Sequence, residues 1–147
     1  GSRLKLSQRA HARQRGLSLI EWTFDPIESK NAYVNIVKHG VIVRRYYVNL
    51  YGDTASQLQQ GLESDRTIAE WRIDAPRFPI EGDLRRVFIP ADMQALKRRN
   101  LTSAQEIQLR VREQFLKNLQ DDYFVAGFER GDEQSAYLFI PGASRVD

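Results

Sequence analysis

Apolar and polar positions alternate along residues 17–24, placing Ile20, Trp22 and Phe24 on one face and Leu17 and Leu19 on the other, which predicts a strand covered on both sides. Asp25-Pro26 ends it, because proline has no N–H to give a ladder. The polar run 28–31 then offers side-chain oxygens to the open N–H groups of a helix starting near Ser29. Ala32, Tyr33, Ile36 and Val37 fall at the spacing of one apolar stripe, with Lys30, Asn31, Asn35 and Lys38 facing elsewhere. Gly40 stops the helix by supplying the left-handed position. Residues 41–51 resume in β-branched and aromatic side chains, broken by Arg44-Arg45, and end at Gly52-Asp53. The pattern is strand, helix, strand.

Before this unit, residues 2–15 predict a helix capped by Gly16, with Arg3, Lys5, Arg9, Arg13 and Arg15 on its exterior. After it, residues 54–60 predict a short helix stopped by Gly61. Residues 67–73 predict a half-buried strand with Ala69, Trp71 and Ile73 inward and Ile68, Glu70 and Arg72 outward. A strand at 86–89 leads through Pro90-Ala91-Asp92 into a helix ending at Asn100. Thr102-Ser103 offers a capping box with Gln105 or Glu106 to a helix over 104–119, where Ala104, Ile107, Val111, Phe115 and Leu119 recur three or four apart. Strands at 123–129 and 136–140, joined by a turn around Gly131-Asp132, close the chain as a hairpin.

At 147 residues and 41% hydrophobic the chain suffices for one domain with a core. No run reaches the ~18 uninterrupted apolar residues of a membrane span, so the expected location is the cytoplasm, with no membrane partner. The absence of cysteine excludes a disulfide framework, a thiolate nucleophile and a cysteine metal site. His11 and His39 both sit beside basic residues, and no metal is expected. A net charge of +3 suits an anionic ligand and a polyanion equally.

The stretch Ile20 to Pro26, of the form I-x-W-T-F-D-P, followed by Asn31-Ala32, Gly40 and the V-R-R-Y strand Val43 to Tyr46, resembles the C-terminal half of GNAT-type N-acetyltransferases over about the first third of the chain. The opening Gly1-Ser2-Arg3 is similar to the last residues of that family's pyrophosphate loop; a cloning remnant is the other origin open to Gly1-Ser2. The resemblance implies an α/β fold with a mixed sheet and flanking helices. Residues 1–52 would form the C-terminal half of an acyl-CoA-binding core truncated at its N-terminus, and residues 53–147 an α+β extension packed on the same domain. It implies acyl transfer from acetyl-CoA, or another acyl-CoA, to an amine. The strand that supplies the family's oxyanion donor would precede Gly1, so the chain alone is expected to be inactive. A strand left without its neighbour would recruit the chain's own tail, through 67–73 or 123–129, or a second copy in a homodimer.

Direct acyl transfer needs an anchored cofactor, a deprotonated amine, donors for the oxyanion and an acid for the thiolate. Gly1, Ser2 and Arg3 at a helix N-terminus are candidates for the phosphates. The family's helix asparagine and its tyrosine acid would fall at Ser29 and Ile36, so neither is in place here. Asn31 and Asn35 are the nearby candidates for pantetheine. Tyr33, Tyr46, Tyr47 and Tyr51 are the available phenols, with Tyr46 taken as the candidate acid. Glu21, a carboxylate in an apolar strand, is the candidate base, since burial would raise its pKa. Its alternative is an outward-facing residue paired with Arg44 or Arg45. Consecutive strand residues point to opposite faces, so only one of those arginines is expected to meet a given partner. A different class of function, a non-catalytic basic module binding nucleic acid or protein, stays open beside the enzyme; 19 acidic residues among 22 basic ones argue against nucleic acid.

Overall fold

In the computed structural model, residues 8, 18–53 and 61–144 are described; the helix expected at 2–15, residue 8 apart, and the one expected at 54–60 lie outside the described residues. Strand β1 (Leu19–Phe24) forms where alternation predicts, but one face alone is covered. Phe24 is buried and Ile20 and Trp22 are half-buried, while Leu19, Glu21 and Thr23 face outward. Asp25 turns the chain, its Oδ1 accepting from the Ile27 N–H at 3.1 Å. Helix α1 (Ser29–Tyr33) follows and widens without a break into a π-helical turn over Val34–Lys38. Gly40, at φ +76°, takes the left-handed conformation expected of it. The Arg77 guanidinium donates to the carbonyls of Val37 and Lys38, at 2.5 and 3.0 Å, and so satisfies groups that a helix end leaves open. The π turn also corrects one expectation. Its additional residue re-phases the helix and turns Asn35, expected outside, into the protein, where it is buried.

Residues 41–51 are not one continuous strand. Ile42 bridges Glu70 and Val43 bridges Val125, so successive residues hydrogen-bond to opposite sides, and only β2 (Tyr46–Tyr47) forms a ladder beyond them. Asn49, at φ +47°, bends the chain away; its backbone N–H donates to Asp65 Oδ1 at 2.9 Å. Strand β3 (Arg66–Arg72) enters between β1 and β2 and is antiparallel to both, pairing Trp22 with Ala69 and Tyr46 with Thr67. In a second sheet β6 (Gln134–Pro141) lies between β4 (Arg85–Pro90) and β5 (Tyr123–Glu129), again antiparallel. The expected mixed sheet is therefore not found. A strand–helix–strand unit whose ends run the same way would pair them in parallel, and here β3 occupies the place between them. Two of the expected pairings are present, 67–73 with β1 and 123–129 with the 42–43 segment, while the second edge of β1 has no strand partner among the described residues.

Helix α2 (Met93–Arg99) is capped by Asp92, whose Oδ1 accepts from the Ala95 N–H at 3.0 Å. Asn100 ends α2 and caps α3 (Leu101–Gln120), accepting from the Ser103 N–H at 3.1 Å. The anticipated Thr102-Ser103 box is thus inside the helix, because Asn100 reaches the open N–H groups first. Ala104, Val111 and Phe115 bury the inner stripe of α3. The Phe115 ring meets Tyr46, Tyr137 and Phe139 at centroid distances of 5.2, 4.9 and 5.0 Å. Tyr137 donates its hydroxyl to the Pro26 carbonyl at 2.5 Å, and Ser29 and Ser135 share a buried hydroxyl bond of 2.7 Å. Residues before and after position 52 therefore contribute to one core and alternate within one sheet. No helix among the described residues is long and apolar enough to cross a membrane.

Candidate functional site

Register places Glu21 directly opposite Glu70 on neighbouring strands, an arrangement that like charges oppose. Arginines from the irregular 44–45 segment resolve it. Arg44 grips Glu70 with Nε at 3.0 and 3.1 Å from its two oxygens and Nη2 at 2.6 Å. Arg45 pairs with Glu21 and lies 3.8 Å from Glu70 Oε2. Both arginines reach one carboxylate because residues 44 and 45 leave the regular strand, so the alternation expected of them does not apply. Glu70, expected to face outward, is 2% exposed, with both guanidinium groups against its carboxylate. Glu21 is 37% exposed, so it is not the buried carboxylate expected of a base, and pairing with Arg45 is what the structure shows. Its strand is outermost: among the described residues no strand pairs with the second edge of β1.

Tyr46 lies on the opposite side of the same sheet, toward α3. Its hydroxyl donates to Asp65 Oδ2 at 2.5 Å, and Arg112 donates to both oxygens of the fully buried Asp65 at 2.9 Å. Burial, and then the Asp65 carboxylate, push the phenol pKa well above its ordinary value. The structure therefore does not bring Glu21 and Tyr46 together. Asn31 is exposed on α1, whereas Asn35 accepts from the Trp22 indole N–H at 3.3 Å. Gly1, Ser2 and Arg3 lie outside the described residues.

Two groups escape a reading of the sequence. Asp25 looks there like a strand terminator, yet desolvation lifts its pKa to about 6, against the opposing effects of the Ile27 N–H and Arg66. Of the carboxyl groups with a resolved shift it titrates nearest neutrality, which makes it a further candidate for proton transfer. Asp65 is the other. Its signal was the spacing of Gln108 and Arg112 on α3, one helical turn apart, which reach back to Glu63 and Asp65: Gln108 bonds the Glu63 backbone on both sides, at 3.1 and 2.7 Å. Among the described residues no cluster of histidine and carboxylate side chains is disposed to hold a metal. No protein-family model, curated protein or solved structure matches the chain. A functional reading rests on the geometry and on the motif of residues 20–46.

Proposed function

We propose that the chain serves acyl transfer from an acyl-CoA thioester to an amine, as the GNAT-like motif implies. One observation carries this reading: Glu21 stands exposed on the outermost described strand, its carboxylate held by Arg45, beside a strand edge with no described partner. The N–H and C=O groups along such an edge suit the amides of a pantetheine arm, which hydrogen-bonds as an additional strand does. Asn31, exposed on the following helix, is a second polar contact for that arm.

Glu21 in this reading gathers the acceptor as its ammonium. A carboxylate is about a millionfold less basic than an alkyl amine, so it does not take the proton outright. It orients the amine while solvent water carries the proton away. The neutral nitrogen then attacks the thioester carbon to form the C–N bond, and as the C–S bond breaks the nitrogen's surplus proton passes through water to the sulfur, which leaves as the CoA thiol. Tyr46, bonded to Asp65 on the other side of the sheet, steadies β2 in this scheme and does not touch the substrate. Calorimetric titration with acetyl-CoA tests the reading. Saturable binding, weakened by Asn31→Ala, is expected. Glu21→Gln is expected to weaken binding of an acceptor amine, titrated as its ammonium, at least tenfold while leaving acetyl-CoA affinity unchanged. Failure to bind acetyl-CoA, together with salt-dependent binding of single-stranded nucleic acid, would sink it in favour of the non-catalytic basic module.

A further inference from the structure

Apart from the acyl-transfer reading, and not dependent on it, a cleft of about 490 Å³ opens where α1 faces the later part of the chain. Its walls come from α1, from the residues leading into α2 and from the β5–β6 turn, and include Lys30, Tyr33, Lys38, Gln94 and Arg130. That volume falls within the roughly 300–1,000 Å³ typical of small-molecule sites. Lys30, Tyr33 and Val34 share it because residues three and four apart return to one side of a helix, and the π turn that follows brings Lys38 to the same lining.

The charges of this cleft are distributed unevenly. Its carboxylates are engaged: Glu28 Oε1 accepts from Gln94 Nε2 at 2.6 Å, and Asp92 caps α2. Its cations are not. Elsewhere Arg44, Arg45, Arg66, Arg85, Arg86 and Arg112 each pair with a carboxylate, whereas among the described residues none lies within ion-pair distance of Lys30, Lys38 or Arg130. Arg130 is nevertheless held in place, its guanidinium carbon 4.6 Å from the centre of the Tyr33 ring. A cation over a ring face is held without an ion pair, so the charge of Arg130 stays available to an anion. Three cations against the two carboxylates of Glu28 and Asp92 leave the lining net positive by one charge, and among the described residues none of the three is in an ion pair.

We propose that this cleft binds a phosphate-bearing small molecule, with Lys30, Lys38 and Arg130 holding the phosphate. A phosphate offers three acceptor oxygens and up to two negative charges, matching one planar fork and two ammonium groups better than a single carboxylate does. The remaining volume accommodates the body of the molecule beside Tyr33 and Val34.

Calorimetric titration of the 147-residue chain with pyrophosphate, ADP and citrate, at low and at physiological salt, tests this. Pyrophosphate or ADP is expected to saturate one site, at least tenfold more tightly than citrate. Arg130→Ala and Lys38→Glu should each weaken it at least tenfold, and Lys97→Ala, outside the cleft, should leave it unchanged. Thermal melts of the same variants verify folding; if Arg130→Ala unfolds, Lys38→Glu provides the same readout from a different element. No saturable phosphate binding at low salt, equal binding of citrate, or binding that survives both substitutions overturns the proposal. Acetyl-CoA titrated against the same variants separates it from the acyl-transfer reading. Retained acetyl-CoA affinity in Arg130→Ala marks an independent site, and parallel loss of both ligands places the phosphates of acetyl-CoA in this cleft, which overturns its independence from the acyl-transfer reading and not its phosphate binding.

Discussion

Replacing Arg112 with methionine would remove the charged partner of a carboxylate that has no contact with water. Asp65 is 0% exposed and takes two hydrogen bonds of 2.9 Å from Arg112, besides those from the Tyr46 hydroxyl and the Asn49 N–H. Removing one member of a buried ion pair costs roughly 3–5 kcal/mol, because the remaining charge is left without compensation. Two donors to Asp65 remain and the Arg112 side chain is 16% exposed, so the lower end, about 3 kcal/mol, applies. In a chain of 147 residues that corresponds to a fall in Tm of about 6–12 °C. Circular dichroism melts, with urea titrations to confirm an unchanged m-value, measure it. Asp65→Asn combined with Arg112→Met should recover part of the loss, since a neutral amide can stay buried on its hydrogen bonds. A loss below about 1 kcal/mol for Arg112→Met, or a double variant no better than the single one, would refute the reasoning that Arg112 compensates the buried charge of Asp65.

Other perturbations probe separate features. Asp25, lifted to about 6 by burial, binds its proton more tightly in the folded chain than in the unfolded one, so its contribution to stability rises as pH falls from about 6 to about 4. Its side chain is 22% exposed, and the rise from the ordinary 3.8 sets an upper bound of about 3 kcal/mol; the difference between parent and Asp25→Asn in urea at about pH 4.5 and about pH 7 reads it, and identical pH slopes would contradict it. Gly40→Ala forces a side chain to φ +76° and sets its Cβ 2.9 Å from Arg77 Nε, so a loss of about 1–2 kcal/mol is expected in the same melts. Glu70→Ala leaves Arg44 without its bidentate partner and should destabilise the β1–β3 pair, read as faster hydrogen exchange at Ile20 and Trp22 than at residues of β6; uniform exchange across both sheets would count against a local role.

What the chain's local pattern determined is what depends on neighbours within a few residues. Helical periodicity placed α2 and α3 to within a turn although the cap of α3 is Asn100 and not the Thr102-Ser103 box, the alternating residues around Gly131-Asp132 specified the β5–β6 hairpin, and Gly40 ended the first helix because glycine alone adopts that backbone without cost. Glu21 and its link to the arginine pair were also legible, since an outward strand carboxylate near two cations has few other partners. Tertiary structure decided the remainder. Whether Glu70 is buried depends on arginines 25 and 26 residues away in sequence leaving strand geometry, and nothing local to β3 encodes that. Asn35 turned inward because a π turn shifted its phase, Asp25 rose in pKa because later elements desolvated it, and β3 separated β1 from β2 although local pattern sees each strand alone. The phosphate cleft belongs to this second kind. Lys30, Lys38 and Arg130 form one charged concavity only after the closing hairpin packs beside α1, since strand pairing and burial act between segments that the order of residues keeps apart.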